Sequence, residues 1–249
     1  MGTGGYYAAS VKAAILAELP SAVIVDITHN IQPFHVSAAA FIIRNAYTHF
    51  PAGSIHIVSV ESPNMPSARF IAIQADGHYF IGPDNGLFSL ALDIKPDKVV
   101  ELSAQDGASA KTFAARDIFA KAAAHIAKGG QLSDLGEDCG DFRHTPAWQP
   151  SYDTDSITAF ILFVDTYGNC ICNLGKTLFE QVAKGRKILI DIKGSEIDAV
   201  SQTYNDKGSG EIVALFSGSG LLELAMNHGD LSQILGLKEG DRVKIVFTN

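Results

Sequence analysis

Sulfur and positive charge are both scarce in this chain, which has only three cysteines and three methionines among its 249 residues. Cys139, Cys170 and Cys172 are too few for a disulfide framework, and Cys-x-Cys is not zinc-finger spacing, so a reduced, cytoplasmic setting is expected. Lys and Arg total 19 against 27 Asp and Glu, a net charge of -8. That balance excludes phosphate-backbone binding, which needs clustered cations, and no nucleic-acid partner is expected. Long hydrophobic runs are lacking too. Stretches such as 157–164 are far too short to span a bilayer, and the first five residues have no charged-then-apolar leader layout. The eight histidines include no His-x-x-x-His or His-Glu-x-x-His pair, so no metal site is expected.

What is present is the composition of a soluble globular protein, 47% hydrophobic and 18% charged, long enough for one large or two smaller domains. The most informative stretch is Asp165-Thr166-Tyr167-Gly168-Asn169. An apolar run at 157–164 precedes it, and after it Cys170, Cys172 and Leu174 alternate with Ile171 and Asn173. This is a strand, a turn of Gly and Asn chemistry, and a second strand. The tip offers a carboxylate, an aromatic ring and a carboxamide, groups able to take an amine, a flat base and that base's polar edge. An ordinary Asx-type turn uses the same residues, so the tip alone does not decide between them.

In chain order, 7–18 has helical spacing ended by Pro20, and 22–27 reads as a buried strand. A glycine-rich loop that opens a helix normally leaves a strand, so about ten further residues, ending in an apolar strand and an Asp, are expected upstream of Met1. A polar loop at 28–35, a helix at 36–47 and a buried strand at 55–60 follow. Strand, helix, strand with apolar strands predicts an α/β domain built on a mostly parallel sheet flanked by helices. Ligands sit beyond the carboxyl ends of such strands, which puts the loops 28–35 and 61–69 on the active face and Glu61 at a strand end. Asp76-Gly77 marks a hairpin joining 70–73 to 79–81. A strand at 98–102 and a helix from Thr112 to about Lys128 complete residues 1–148. A polar linker at 149–156 leads to 157–249, whose short strands predict a smaller, barrel-like all-β domain. There the exposed amides of Ser217-Gly218-Ser219-Gly220 suit a carboxylate, although a plain loop has the same composition.

Several segments, none specific alone, form an ordered set. They are Gly2 to Lys12, Asp26-Ile27-Thr28-His29 with Pro33-Phe34-His35-Val36, Gly82-Pro83-Asp84-Asn85-Gly86-Leu87, Thr112-Phe113 with Arg116-Asp117, Asp165 to Asn169 with Asn173, and Ser219-Gly220 with Leu222-Glu223-Leu224-Ala225 and Asn227. In this set the chain resembles the S-adenosylmethionine (SAM) hydrolases that form adenosine and methionine, and the related fluorinase and chlorinase. The resemblance implies a homotrimer that binds SAM or adenosine between the N-terminal domain of one subunit and the C-terminal domain of the next. It implies that Asp165 holds the methionine ammonium and Ser219 the carboxylate. Tyr167 would pack on adenine, Asn169 and the backbone of Met226 and His228 would meet its edge, and Phe34 and Phe113 would wall the sulfonium and ribose. Aromatic faces suit a sulfonium. SAM is then substrate, with no further cofactor.

The departures are equally plain. The family's ribose-binding Asp would stand just before Met1. Its water-handling Asp, Arg and His correspond to Glu61, Ala68 and Ala114, and the fluorinase halide Ser to Ala115. The expected activity is displacement of methionine from ribose C5′, with water the leading nucleophile and Glu61 the one acid at the base position. The alternatives are a non-catalytic SAM- or adenosine-binding protein, or an enzyme using another nucleophile or adenosyl ligand.

Overall fold

The computed structural model describes residues 2, 4–61, 69–102 and 112–248, which fall into two compact units, Met1–Pro146 and Ala147–Asn249. In the first unit, helix α1 (Tyr7–Glu18) precedes α2 (Val36–Tyr47), strand β1 (Ile55–Ile57), β2 (Phe70–Ala75) and β3 (His78–Pro83). Short helix α3 (Leu87–Ala91) and β4 (Lys98–Leu102) come next. A π-turn at Ala115–Phe119 then feeds α4 (Ala120–Ala127), and β5 (Gly136–Asp138) closes the unit. Ala38, Ala39, Ala40 and Ile43 bury one side of α2, as its apolar spacing requires. The Asp76-Gly77 hairpin forms, both residues at positive φ (52° and 73°), the geometry of a tight two-residue turn.

The strands are ordered β1-β3-β2-β4-β5. Of these pairings only β1–β3 is parallel; β2–β3, β2–β4 and β4–β5 are antiparallel. A mixed sheet therefore stands where a mostly parallel one was expected, because a two-residue turn between β2 and β3 can only reverse the chain. The expected strand at 22–27 is also absent. The segment has no ladder, and Val23 is 92% exposed. Among the described residues its backbone has no partner strand, and apolar alternation without hydrogen bonding across an edge does not make a sheet. The expected strand at 55–60 shortens to β1.

The second unit carries β6 (Ser151–Tyr152), β7 (Ser156–Val164), β8 (Cys170–Gly175), α5 (Lys176–Ala183), β9 (Lys187–Ile192) and β10 (Ser195–Ile197). It ends with β11 (Ile212–Phe216), β12 (Leu221–Met226), α6 (Leu231–Leu235) and β13 (Arg242–Thr248). These strands make one antiparallel sheet ordered β10-β9-β13-β7-β8-β12-β11, with β6 beside β7. A bridge from Ser201, just past β10, to Leu215 in β11 nearly closes it into a barrel. The interior is filled by Ile157, Ile161, Leu174, Ile190, Leu224 and Ile245, all fully buried. Helix α5 was not among the expected elements, although Phe179, Val182 and Ala183 bury a stripe at helical spacing.

Candidate functional site

In the first unit, a cleft of about 440 Å³ opens between residues 27–34 and 57–61. It brings together two of the expected residues, Phe34 and Glu61. Both are non-glycine residues at positive φ, 68° and 49°, a conformation found mostly where surrounding structure imposes it. For Glu61 the imposing contact is Asn85. Its Nδ2 donates to the Val60 carbonyl at 2.9 Å and the Glu61 carbonyl at 3.4 Å, while its Oδ1 accepts from Leu87 N at the start of α3. The Gly-Pro-Asp-Asn-Gly turn thus fixes the segment that follows β1. Beside the cleft, Lys12 Nζ lies 2.6 Å from Asp26 and holds its carboxyl below the usual carboxylate range, with His29 Nε2 3.1 Å from the other oxygen.

Phe113 is not among the residues lining this cleft. Its ring meets Tyr7 edge-on at 5.4 Å, and Arg116 lies over it at 5.1 Å. Residues 62–68, including Ala68, lie outside the described residues. Arg69, next to the position where the resemblance expects an Arg, is engaged elsewhere. It donates to the Asp141 carbonyl at 2.7 Å and lies within 3.5 Å of Asp84 and Glu101. Ala114, where the resemblance expects a His, is buried at the head of the π-helical turn and carries no proton-transfer group.

In the second unit, the β7–β8 tip is organised by Asp165. Its Oδ1 accepts from Tyr167 N (2.8 Å) and Asn169 N (2.9 Å), and its Oδ2 accepts from Asn169 Nδ2 (3.0 Å). Asp165 is therefore both the Asx-turn residue and the expected ammonium acceptor. Binding Asn169 by its amide leaves that residue's Oδ1 free of this contact and able to accept from an exocyclic amine. Gly168 (φ 79°) packs so close to Asp230, the N-cap of α6, that a Cβ would fall 1.9 Å from its Oδ1. Tyr167 stands out from the tip, 77% exposed.

The neighbouring hairpin, β11–β12, supplies the rest. Ser219 Oγ lies 2.9 Å from Ser217 Oγ in the turn. At the other end of β12, the Met226 carbonyl accepts from Gly229 N with one of its two lone pairs. His228 is exposed at φ 55°, and among the described residues its backbone makes no hydrogen bond. At about 3.3–3.4 Å per strand residue, Leu221 and Met226 are roughly 17 Å apart, a span suited to a nucleoside joined to an amino acid. One acid not among the expected site residues lies between these ends. Glu223 is 5% exposed and accepts from Tyr204 Oη at 2.5 Å. Its signal was a single acid inside the apolar run Leu221–Met226.

Residues 1–136 match the family model described as the SAM hydroxide adenosyltransferase N-terminal domain, and residues 159–244 match the C-terminal domain of the same family. The (R)-S-adenosyl-L-methionine hydrolase of Thermus thermophilus is 32% identical, the alignment covering 96% of this chain and 94% of that protein. The fluorinase of Actinopolyspora mzabensis is 24% identical, over 98% and 94%. The crystal structure of an uncharacterised conserved protein from Thermotoga maritima superposes with a TM-score of 0.90 at 29% identity, covering 98% of this chain and 97% of that one. Both units are matched in order by one family's two domains, and the chain belongs to the SAM hydroxide adenosyltransferase family.

Proposed function

We propose that this protein hydrolyses (R)-S-adenosyl-L-methionine to adenosine and L-methionine. The observation that carries this reading is the match of both domains to one family, with hydrolases of that specificity aligned over more than nine-tenths of the chain. The reaction is one displacement. A water oxygen bonds to ribose C5′ as the C5′–S bond breaks, methionine leaves with the electron pair, and the attacking water loses a proton. A sulfonium is already a good leaving group, so the protein's work is placement and exclusion of competing solvent. SAM is the substrate, and neither a metal nor another cofactor takes part.

Asp165 takes the ammonium, Ser219 the carboxylate and Asn169 the adenine edge, with Tyr167 on the base. The exposed backbone of His228, with that of Met226, completes the edge. Phe34 and Phe113 wall the sulfonium and ribose. These groups come from different units, and the proposal places the site between neighbouring subunits of a homotrimer acting in the cytoplasm. Supporting that placement, Phe34 (76%) and Tyr167 (77%) are more exposed than the other large aromatics among the described residues, as rings awaiting a ligand or neighbour would be. Glu61 accepts the proton from water.

Incubation with SAM and chromatography of the product adenosine tests this directly. Adenosine release above a buffer blank is expected, falling by about 10²-fold or more in Glu61→Gln, the contribution of a well-placed general base. Equal release by both proteins removes Glu61 from the mechanism. Binding without release by either favours a non-catalytic SAM-binding protein, a reading to which the occupied Arg69 and the Ala at position 114 lend weight.

A further inference from the structure

Glu223 sits mid-strand in β12, opposite Leu215 of β11 and Ile171 of β8, and Ile171 is opposite Phe163 of β7. Strand alternation sends Leu222 and Leu224 into the barrel core and Glu223 to the other face. Asp165 and Asn169 continue that face two residues beyond Phe163 and before Ile171. Register shifts fall next to it, between Leu221 and Glu223 and between Ile161 and Phe163. Such irregularities re-aim side chains beside functional sites. The Tyr204 phenol donates to Glu223 Oε1 at 2.5 Å. The Ser217 hydroxyl also acts on this carboxyl and lies 2.9 Å from the Ser219 hydroxyl.

We propose that Glu223 is a positioning residue that sets specificity for the amino-acid end of the substrate, holding Tyr204, Ser217 and through it Ser219 around the ammonium and carboxylate, while adenosine binds without it. The inference rests on the SAM site proposed above. A buried acid in an apolar strand is costly to retain for structure alone. Here burial pushes the Glu223 carboxyl above its usual range, and the nearby Asp165 charge adds to this, opposed by the Tyr204 and Ser217 hydroxyls. The Tyr204 phenol, itself pushed up by burial and by Glu223, also faces this carboxyl, whereas the Cys170 and Cys172 thiols lie on the core side with Leu222 and Leu224. Among the described residues, the groups acting on Glu223 include no cation. An incoming ammonium supplies one and favours the carboxylate, so SAM binding releases the Glu223 proton to solvent and strengthens as pH rises through its pKa.

Calorimetry between pH 5 and 8 with SAM and, separately, adenosine tests this. For Glu223→Gln we expect SAM binding weakened roughly tenfold or more, the loss of a charge-assisted contact. Its pH dependence should flatten, with adenosine affinity unchanged. Tyr204→Phe keeps the carboxylate but removes the donor that favours its charged form, so the midpoint of the pH dependence should move up. SAM affinity in Glu223→Gln equal to wild type across the range overturns the inference while leaving the SAM site standing. Parallel loss of adenosine binding overturns it as well, reducing Glu223 to a structural group. Wild-type protein that binds neither ligand overturns the SAM site and this inference with it.

Discussion

Asp165 carries two duties, and a single substitution separates them poorly. Asp165→Ala removes three acceptor contacts of the turn as well as the proposed ammonium partner. Asn169→Ala removes a carboxamide but leaves the two backbone contacts of Asp165 in place. Each should weaken SAM binding by about 1–3 kcal/mol, with adenosine binding lost preferentially in Asn169→Ala. Calorimetry that finds both variants at wild-type affinity would remove the tip from the site. Away from it, His56 and His78 face each other inside the first unit, Nε2 to Nδ1 at 3.3 Å. Burial, with a smaller contribution from His78, lowers the His56 pKa from 6.5 to about 4. The unfolded chain thus takes up this proton first as pH falls. Stability from the neutral ring is complete above pH 6.5 and is lost between there and about pH 4, up to about 3 kcal/mol. Urea titrations at pH 7 and pH 4.5 should show this loss, and it should shrink in His56→Phe, whose ring still stacks on Phe80.

At the scale of elements, the β7–β8 tip is only as firm as its support. Asp230 caps α6 by accepting from Gln233 N and Ser232 Oγ, and the Gly168 carbonyl accepts from Ser232 N. The tip and the helix start meet at Gly168, through that hydrogen bond and through the close packing of its bare Cα against Asp230. Gly168→Ala would drive a methyl into Asp230 at a positive φ, displacing the cap and the tip together. A loss of about 1–3 kcal/mol is expected by chemical denaturation, with weaker SAM binding. A variant with unchanged stability would show that the tip can move without α6. The hairpin itself was legible from Gly and Asn in the turn and apolar runs on either side. Its buttress was not, because Asp230 is 62 residues away in sequence and only folding brings it beneath Gly168.

At the scale of the whole molecule, each unit holds part of the proposed machinery: the cleft with Phe34 and Glu61 in one, the Asp165 tip and the β11–β12 turn in the other. A site between subunits predicts complementation. Mixed assemblies of Glu61→Gln and Asp165→Ala chains should regain part of the wild-type adenosine release, since some interfaces then carry two intact halves. Sedimentation should give three times the 26.5 kDa chain mass. No recovery on mixing would place both halves of the site within one subunit.

Local pattern by itself determined the helices at 7–18 and 36–47, the Asp76-Gly77 hairpin and most barrel strands, because each is specified by near neighbours: apolar spacing, turn residues and stops. The candidate residues from Phe34 to His228 came instead from the resemblance to a known family. Tertiary structure decided what depends on partners distant in sequence. The segment 22–27 has a strand's alternation but, among the described residues, no edge to pair with, so it stays extended and exposed. Strand direction came from connections rather than composition, turning the expected parallel sheet into a mixed one. Arg69 was drawn into an acidic network by Asp84, Glu101 and Asp141, and Glu223 was turned by its register onto the face of Asp165. Side-chain chemistry is written residue by residue, whereas its electrostatic surroundings exist only once the chain has closed around them.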